Sequence, residues 1–140
     1  MKKPLIVALT VLILDQLTKY LFTEKHFILI PKILDINYTT NTGSFFGILK
    51  GYNLFLIIIS VFIIIICLRW MYQKTFPYLP LTFIIGGALG NLIDRLVFGF
   101  VRDFIDFKVW PVFNIADSFI TIAILLLILK EIKSSRKVFK

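Results

Sequence analysis

The 140-residue chain suits one domain and leaves no room for a separate soluble module. With 59% apolar residues, a mean hydropathy of +0.91 and only 17% charged residues, a soluble domain of this size would expose large apolar patches, so lipid is its natural solvent. The net charge of +8 is too unevenly placed for a nucleic-acid partner, and a single cysteine (Cys67) and a single histidine (His26) exclude an intrachain disulfide, a cysteine metal cluster and any site built on two histidines.

The first element follows Met1-Lys2-Lys3, a start that mimics a secretory signal peptide. Asp15 interrupts its apolar run and no small-x-small cleavage site follows, so residues 4–22 read as a retained membrane helix. A helix needs roughly 20 residues to cross the hydrocarbon core. Three more runs approach that length, at 52–68, 79–99 and 112–129. Between the first two spans, residues 23–51 are long enough to fold, and Ile33, Ile36, Tyr38, Thr39 and Thr40 favour extended structure with a turn at Asn41-Thr42-Gly43. A small sheet or hairpin on the outer membrane surface is expected there. The second outer loop, 98–111, ends in Trp110-Pro111, and a Trp suits the interfacial belt. Cys67, near the end of an apolar run, reads as packing or lipid-facing, and His26, beside Phe27 and Ile28, as structural.

Charge orients the spans. Lys2, Lys3, Arg69, Lys74, Lys130, Lys133, Arg136, Lys137 and Lys140 are nine of the 16 cations, and they share one face with a single anion, Glu131. Seven of each sign are left elsewhere, so the whole excess lies on one side. Lys/Arg bias in short loops marks the cytoplasm. Both termini are therefore expected inside, with the basic tail suited to anionic membrane lipids.

Ionisable groups within spans are costly and face the bundle interior or a wet cavity. Here they form one layer near the outer face. Asp15 and Lys19 share a face of the first helix at i, i+4 and read either as a neutralising pair or as part of a site. Asn91 and Asp94, followed by Arg95, close the third span, while Asn114 and Asp117 open the fourth, where Asn114 would also serve as a helix cap. Gly86, Gly87 and Gly90 read as close-packing residues. Four carboxylates, Asp94, Asp103, Asp106 and Asp117, fall around one loop, where Arg95 and Arg102 could pair with two of them and Asp106, with Lys108, reads as simply solvated. Two carboxylates left side by side share a proton, giving one acid and one base. Such a pair can activate water and protonate a leaving amine. Two other classes compete: a phosphotransferase of phospholipid synthesis with Mg²⁺ on these acids, and a small cation-coupled transporter. The positive-inside count places the acids on the wrong face for the first, and the inner helix halves lack the polar path the second needs.

The strings Asp15-Gln16-Leu17-Thr18-Lys19, Asn41-Thr42-Gly43, the run 86–95 ending in Asn91-Leu92-Ile93-Asp94-Arg95, Val101-Arg102-Asp103-Phe104 and Phe113-Asn114-Ile115-Ala116-Asp117 occur in that order. Together they resemble the successive motifs of lipoprotein signal peptidase (signal peptidase II), across nearly the whole chain. The resemblance implies an all-α integral membrane fold: four transmembrane helices with a small extracytoplasmic β-cradle, one domain over 1–140. It implies a bacterial cytoplasmic-membrane aspartyl endopeptidase, without metal or cofactor and expected to act as a monomer. Such an enzyme removes the signal peptide from prolipoproteins, cutting before a diacylglyceryl-modified cysteine. It places the catalytic aspartates at Asp103 and Asp117, near the extracytoplasmic face, with supporting roles for Asp15, Lys19, Asn41, Gly43, Asn91, Asp94, Arg95 and Asn114. The chain departs from the family in having Ser44-Phe45 where two small residues usually follow the Asn-x-Gly, which bears on the shape of the substrate groove.

Overall fold

The computed structural model describes residues 2–43 and 51–138, with side chains through 135; Ser44-Phe45 lies outside the described residues. Among them are helices α1 (Lys2–Phe22), α2 (Asn53–Gln73), α3 (Tyr78–Val97) and α4 (Ile115–Val138), and strands β1 (His26–Ile30), β2 (Leu34–Asn41) and β3 (Val101–Phe107). α1, α2 and α3 are each long and apolar enough to cross a membrane. α4 carries the apolar run Ile122–Leu129 between Asp117 and Lys130-Glu131.

α3 is the hub, with α1, α2 and α4 all packed on it. Gly86 and Gly87 make that approach possible. A Cβ on Gly86 would lie 2.7 Å from the Ala8 carbonyl oxygen, and one on Gly87 would lie 2.7 Å from that of Ala116. The two glycines therefore seat α1 and α4 against the same turn of α3, which bears out the close-packing reading. Below them Ala8, Cys67, Leu81, Ile84, Ile85 and Ala123 form the core. Cys67 is a packing residue rather than a lipid-facing one.

The sheet has three strands where a hairpin or small sheet within one loop was expected. β1 pairs antiparallel with β2, and β2 with β3, in the order β1-β2-β3. The third strand comes from the segment read as a plain loop. Its apolar–polar mixture, Val-Arg-Asp-Phe-Ile-Asp-Phe, hides the alternation because its first four residues are buried on both faces. The β1–β2 turn falls at Pro31–Ile33, with Lys32 at positive φ, rather than at Asn41–Gly43. Asn41 ends β2, and its Oδ1 accepts the Gly43 amide at 2.9 Å. His26 bonds Asn37 across the strands, Nδ1 to Oδ1 at 2.9 Å, which is a structural role.

Helix limits also shift. α2 continues to Gln73, so Arg69 lies within it, and α3 stops at Val97 because Gly99 turns the chain at φ +81°. α4 begins at Ile115, since Phe113 is held extended by a bridge to Ile105, whose N–H donates to its carbonyl at 2.8 Å.

Candidate active site

Where Asn114 opens α4, the local sequence dictates a cap. Asn114 Oδ1 accepts the Asp117 N–H at 3.0 Å, and Asp117 Oδ2 accepts the Asn114 N–H at 3.3 Å. This reciprocal box satisfies two backbone donors of the first turn. The next free amide, Ala116 N–H, donates to Asp15 Oδ1 of α1 at 2.9 Å. Both carboxylates lie at the positive end of the α4 dipole, where anions are favoured.

Having spent its oxygen on the cap, Asn114 presents its amide nitrogen to β3. Nδ2 donates to Asp103 Oδ1 at 2.6 Å and to Asn91 Oδ1 at 3.1 Å. Asn91 is oriented likewise, because its oxygen also takes Lys19 Nζ at 2.9 Å, so its nitrogen faces Asp117 Oδ1 at 2.9 Å. Asn41, with its oxygen held by Gly43, donates to Asp103 Oδ2 at 2.9 Å. All four oxygens of Asp103 and Asp117 thus receive an N–H, three from asparagine amides whose direction is set by a separate partner and one from the Asn114 backbone.

Lys19 lies under this layer with no exposed side-chain surface. Its Nζ is 2.8 Å from Asp15 Oδ2 and 3.3 Å from Asp94 Oδ2. Asp94 is further held by Arg102. Asp15 and Lys19 form the expected i, i+4 ion pair, and Lys19 also reaches Asp94 and Asn91. The remaining loop acid, Asp106, bonds Asn37 Nδ2 at 3.0 Å and Lys108 Nζ at 2.9 Å. Those two donors hold its carboxyl below the usual carboxylate range. Of the four acids around the loop, Asp94 and Asp106 are ion-paired, whereas among the described residues Asp103 and Asp117 have no cation within ion-pair distance.

Those two acids line one cavity of about 390 Å³. Asn41, Asn91, Arg95, Asp103 and Asp117 form its polar end, and Leu56, Ile59, Ile63, Ile84, Ala88 and Ile120 form an apolar wall. Arg95 donates through Nη2 to the Gly43 carbonyl at 3.2 Å, tying α3 to the end of β2. Burial, with the Asp117 charge second, pushes the Asp103 carboxyl up to about 7; hydrogen bonds from Asn41 and Asn114 and the Lys19 charge oppose the rise. Asp103 is thus poised to hold a proton at neutral pH. The arrangement provides a carboxylate pair beside an apolar trough, with amide donors fixed around it.

The structure brings together every residue expected at the site and adds two, Gln16 and Arg102. Gln16 Nε2 bonds Asp94 Oδ1 at 3.2 Å and the Gly90 carbonyl at 3.0 Å, and its Oε1 accepts from Arg102 at 3.0 Å. Gln16 lies inside a quoted motif, but its long-range partners are 74 or more positions away, so nothing local marks it.

The chain is similar to known proteins over most of its length. Residues 7–133 match the family model described as signal peptidase (SPase) II. The chain is 44% identical over 132 residues to a lipoprotein signal peptidase of Halothermothrix orenii, covering 89% of this chain and 91% of that protein. It is 45% identical over 136 residues to one from Caldicellulosiruptor bescii, covering 90% of each. A solved bacterial membrane enzyme, determined by the in meso method at 2.3 Å resolution, superposes with a TM-score of 0.90 at 34% identity, covering 96% of this chain and 90% of that one.

Proposed function

The chain belongs to the signal peptidase II family, and from that premise we propose that Asp103 and Asp117 are its catalytic pair. It is an aspartic endopeptidase that removes the signal peptide from diacylglyceryl-modified prolipoproteins, cutting before the lipidated cysteine. The observation that carries the residue assignment is the un-neutralised pair at the polar end of one cavity. Two carboxylates confined there hold one proton between them. The ionised member takes a proton from water, which attacks the scissile carbonyl carbon; the protonated member then gives its proton to the departing amine. The three asparagine amides keep both carboxylates aimed without adding charge, so the shared proton stays free to move. The apolar wall of α2, α3 and α4 suits the hydrophobic segment upstream of the cut.

The same reading has four crossings, with α4 as the last. Both termini are cytoplasmic, and the sheet and carboxylate pair lie at the extracytoplasmic face of the bacterial cytoplasmic membrane. Nine cations against the single anion Glu131 on the inner face support that orientation. At that depth a lipid-anchored cysteine presents its peptide bond. The enzyme acts as a monomer, since one chain supplies both carboxylates. The test is incubation of purified protein with a diacylglyceryl-modified prolipoprotein, with and without EDTA. Cleavage before the modified cysteine should proceed equally in both. Loss on chelation with rescue by Mg²⁺ would overturn the metal-free mechanism.

A further inference from the structure

β3 carries Asp103 on one face and, one residue earlier, Arg102 on the other, since successive strand side chains point to opposite faces. Arg102 is committed on every side. Its Nη2 lies 2.8 Å from Asp94 Oδ1, its Nε 3.2 Å and its backbone N–H 2.9 Å from Asp94 Oδ2. Nη2 also donates to Gln16 Oε1 at 3.0 Å, and the guanidinium carbon sits 4.6 Å from the centre of the Phe98 ring. One side chain therefore ties β3 to α1 and α3 while lying outside the cavity lining. Because a buried ion pair adds little net stability, the fork's main effect is to fix where its groups sit.

Charge makes the second half of the argument. The charged groups around the carboxylate pair are Asp15 and Lys19 from α1 and Asp94 and Arg95 from α3, with Arg102 of β3 behind Asp94 on the strand face opposite Asp103. The four that are ion-paired with one another, Asp15, Asp94, Lys19 and Arg102, sum to zero, with the Arg95 charge beside them. Without Arg102 the sum is −1, and Lys19 alone must serve Asp15, Asp94 and Asn91 Oδ1. Its hold on Asn91, and so on the amide facing Asp117, would slacken.

We propose that Arg102 is a positioning residue for the reaction, clamping β3 so that Asp103 faces Asp117 and cancelling the Asp94 charge that would otherwise disfavour ionisation of the pair. The inference rests on Asp103 being catalytic. The guanidinium fork, unlike an ammonium, engages both Asp94 oxygens and Gln16 together.

The experiment compares Arg102→Gln and Arg102→Lys for kcat, KM and the pH–rate profile on a diacylglyceryl-modified prolipoprotein. Arg102→Gln should lower kcat and move both limbs of the profile up by about one pH unit, because a nearby positive charge is lost. Arg102→Lys keeps the charge, so its profile should stay in place while kcat falls about tenfold for lack of the fork. KM should stay within about twofold in both, as the side chain does not line the cavity. A folded Arg102→Gln enzyme with unmoved limbs, or a Lys variant shifted equally, would overturn the electrostatic half. Should the Gln variant fail to fold, the Lys variant still decides the clamp, because wild-type kcat there would refute it. Failure of the underlying assignment reads differently: Asp103→Asn would then stay active with Arg102 intact.

Discussion

Replacing Asn114 separates the stability of α4 from the aim of the proposed catalytic pair. Its oxygen caps the helix at 3.0 Å from the Asp117 N–H, while its nitrogen reaches Asp103 at 2.6 Å. Serine can cap through Oγ but cannot span to β3. Asn114→Ala loses the cap, costing about 1 kcal/mol, and also the buried bond to a carboxylate, at about 1.5–3 kcal/mol. Asn114→Ser loses only the second. Thermal unfolding in detergent should therefore rank the wild type above Ser and Ser above Ala, with the two variants about 1 kcal/mol apart. Turnover should be lost alike in both, on the order of 10²-fold, because misplacing one carboxylate by about 1 Å is enough to cost that much. Measuring kcat and unfolding on the same preparations tests both halves. A Ser variant with wild-type turnover would refute the claim that Asn114 places Asp103, and equal stability of Ser and Ala would refute the cap.

Three further outcomes follow. Asp103 has a folded-state pKa raised from 3.8 to about 7, so the folded protein binds more protons than the unfolded chain across that window. Its contribution to stability should fall as pH rises from about 4 to about 7, by no more than about 1.4 kcal/mol per pH unit, and Asp103→Asn should remove that share of the slope in pH-dependent unfolding. Gly87→Ala places a Cβ 2.7 Å from the Ala116 carbonyl, so α4 must shift at its N-terminal end. A loss of about 1–3 kcal/mol in melting experiments, with reduced turnover, is expected. A reporter fused after Lys140 should behave as cytoplasmic, and a periplasmic signal would remove the four-crossing arrangement.

Much of the site was legible because its residues repeat at helical spacing. Asp15 with Lys19, Asn91 with Asp94, and Asn114 with Asp117 each lie on one helix face, and one-sided charge put them at one depth. The glycine pair of α3 was equally plain, since little but close packing explains it. β3 was missed because strand periodicity fails when Val101, Arg102, Asp103 and Phe104 are all buried. Its partner β2 lies about 60 positions earlier, as Asn41 opposite Val101 illustrates. For the same reason the division of the acids could only be narrowed. That Arg102 rather than Arg95 takes Asp94 depends on β3 folding back onto the end of α3, a long-range fact with no local signature.

The most direct measurement of the central claim is cleavage of a diacylglyceryl-modified prolipoprotein by Asp103→Asn, Asp117→Asn and the double variant, each first shown to be folded and inserted. Asparagine keeps the size and hydrogen-bonding reach of aspartate but cannot cycle a proton. Each single change should abolish cleavage, and the double should be no worse than either, because residues acting as one unit are non-additive. Asp106→Asn should stay near wild type, since that acid is occupied by Asn37 and Lys108. Near-normal turnover in either Asp103→Asn or Asp117→Asn would contradict the account.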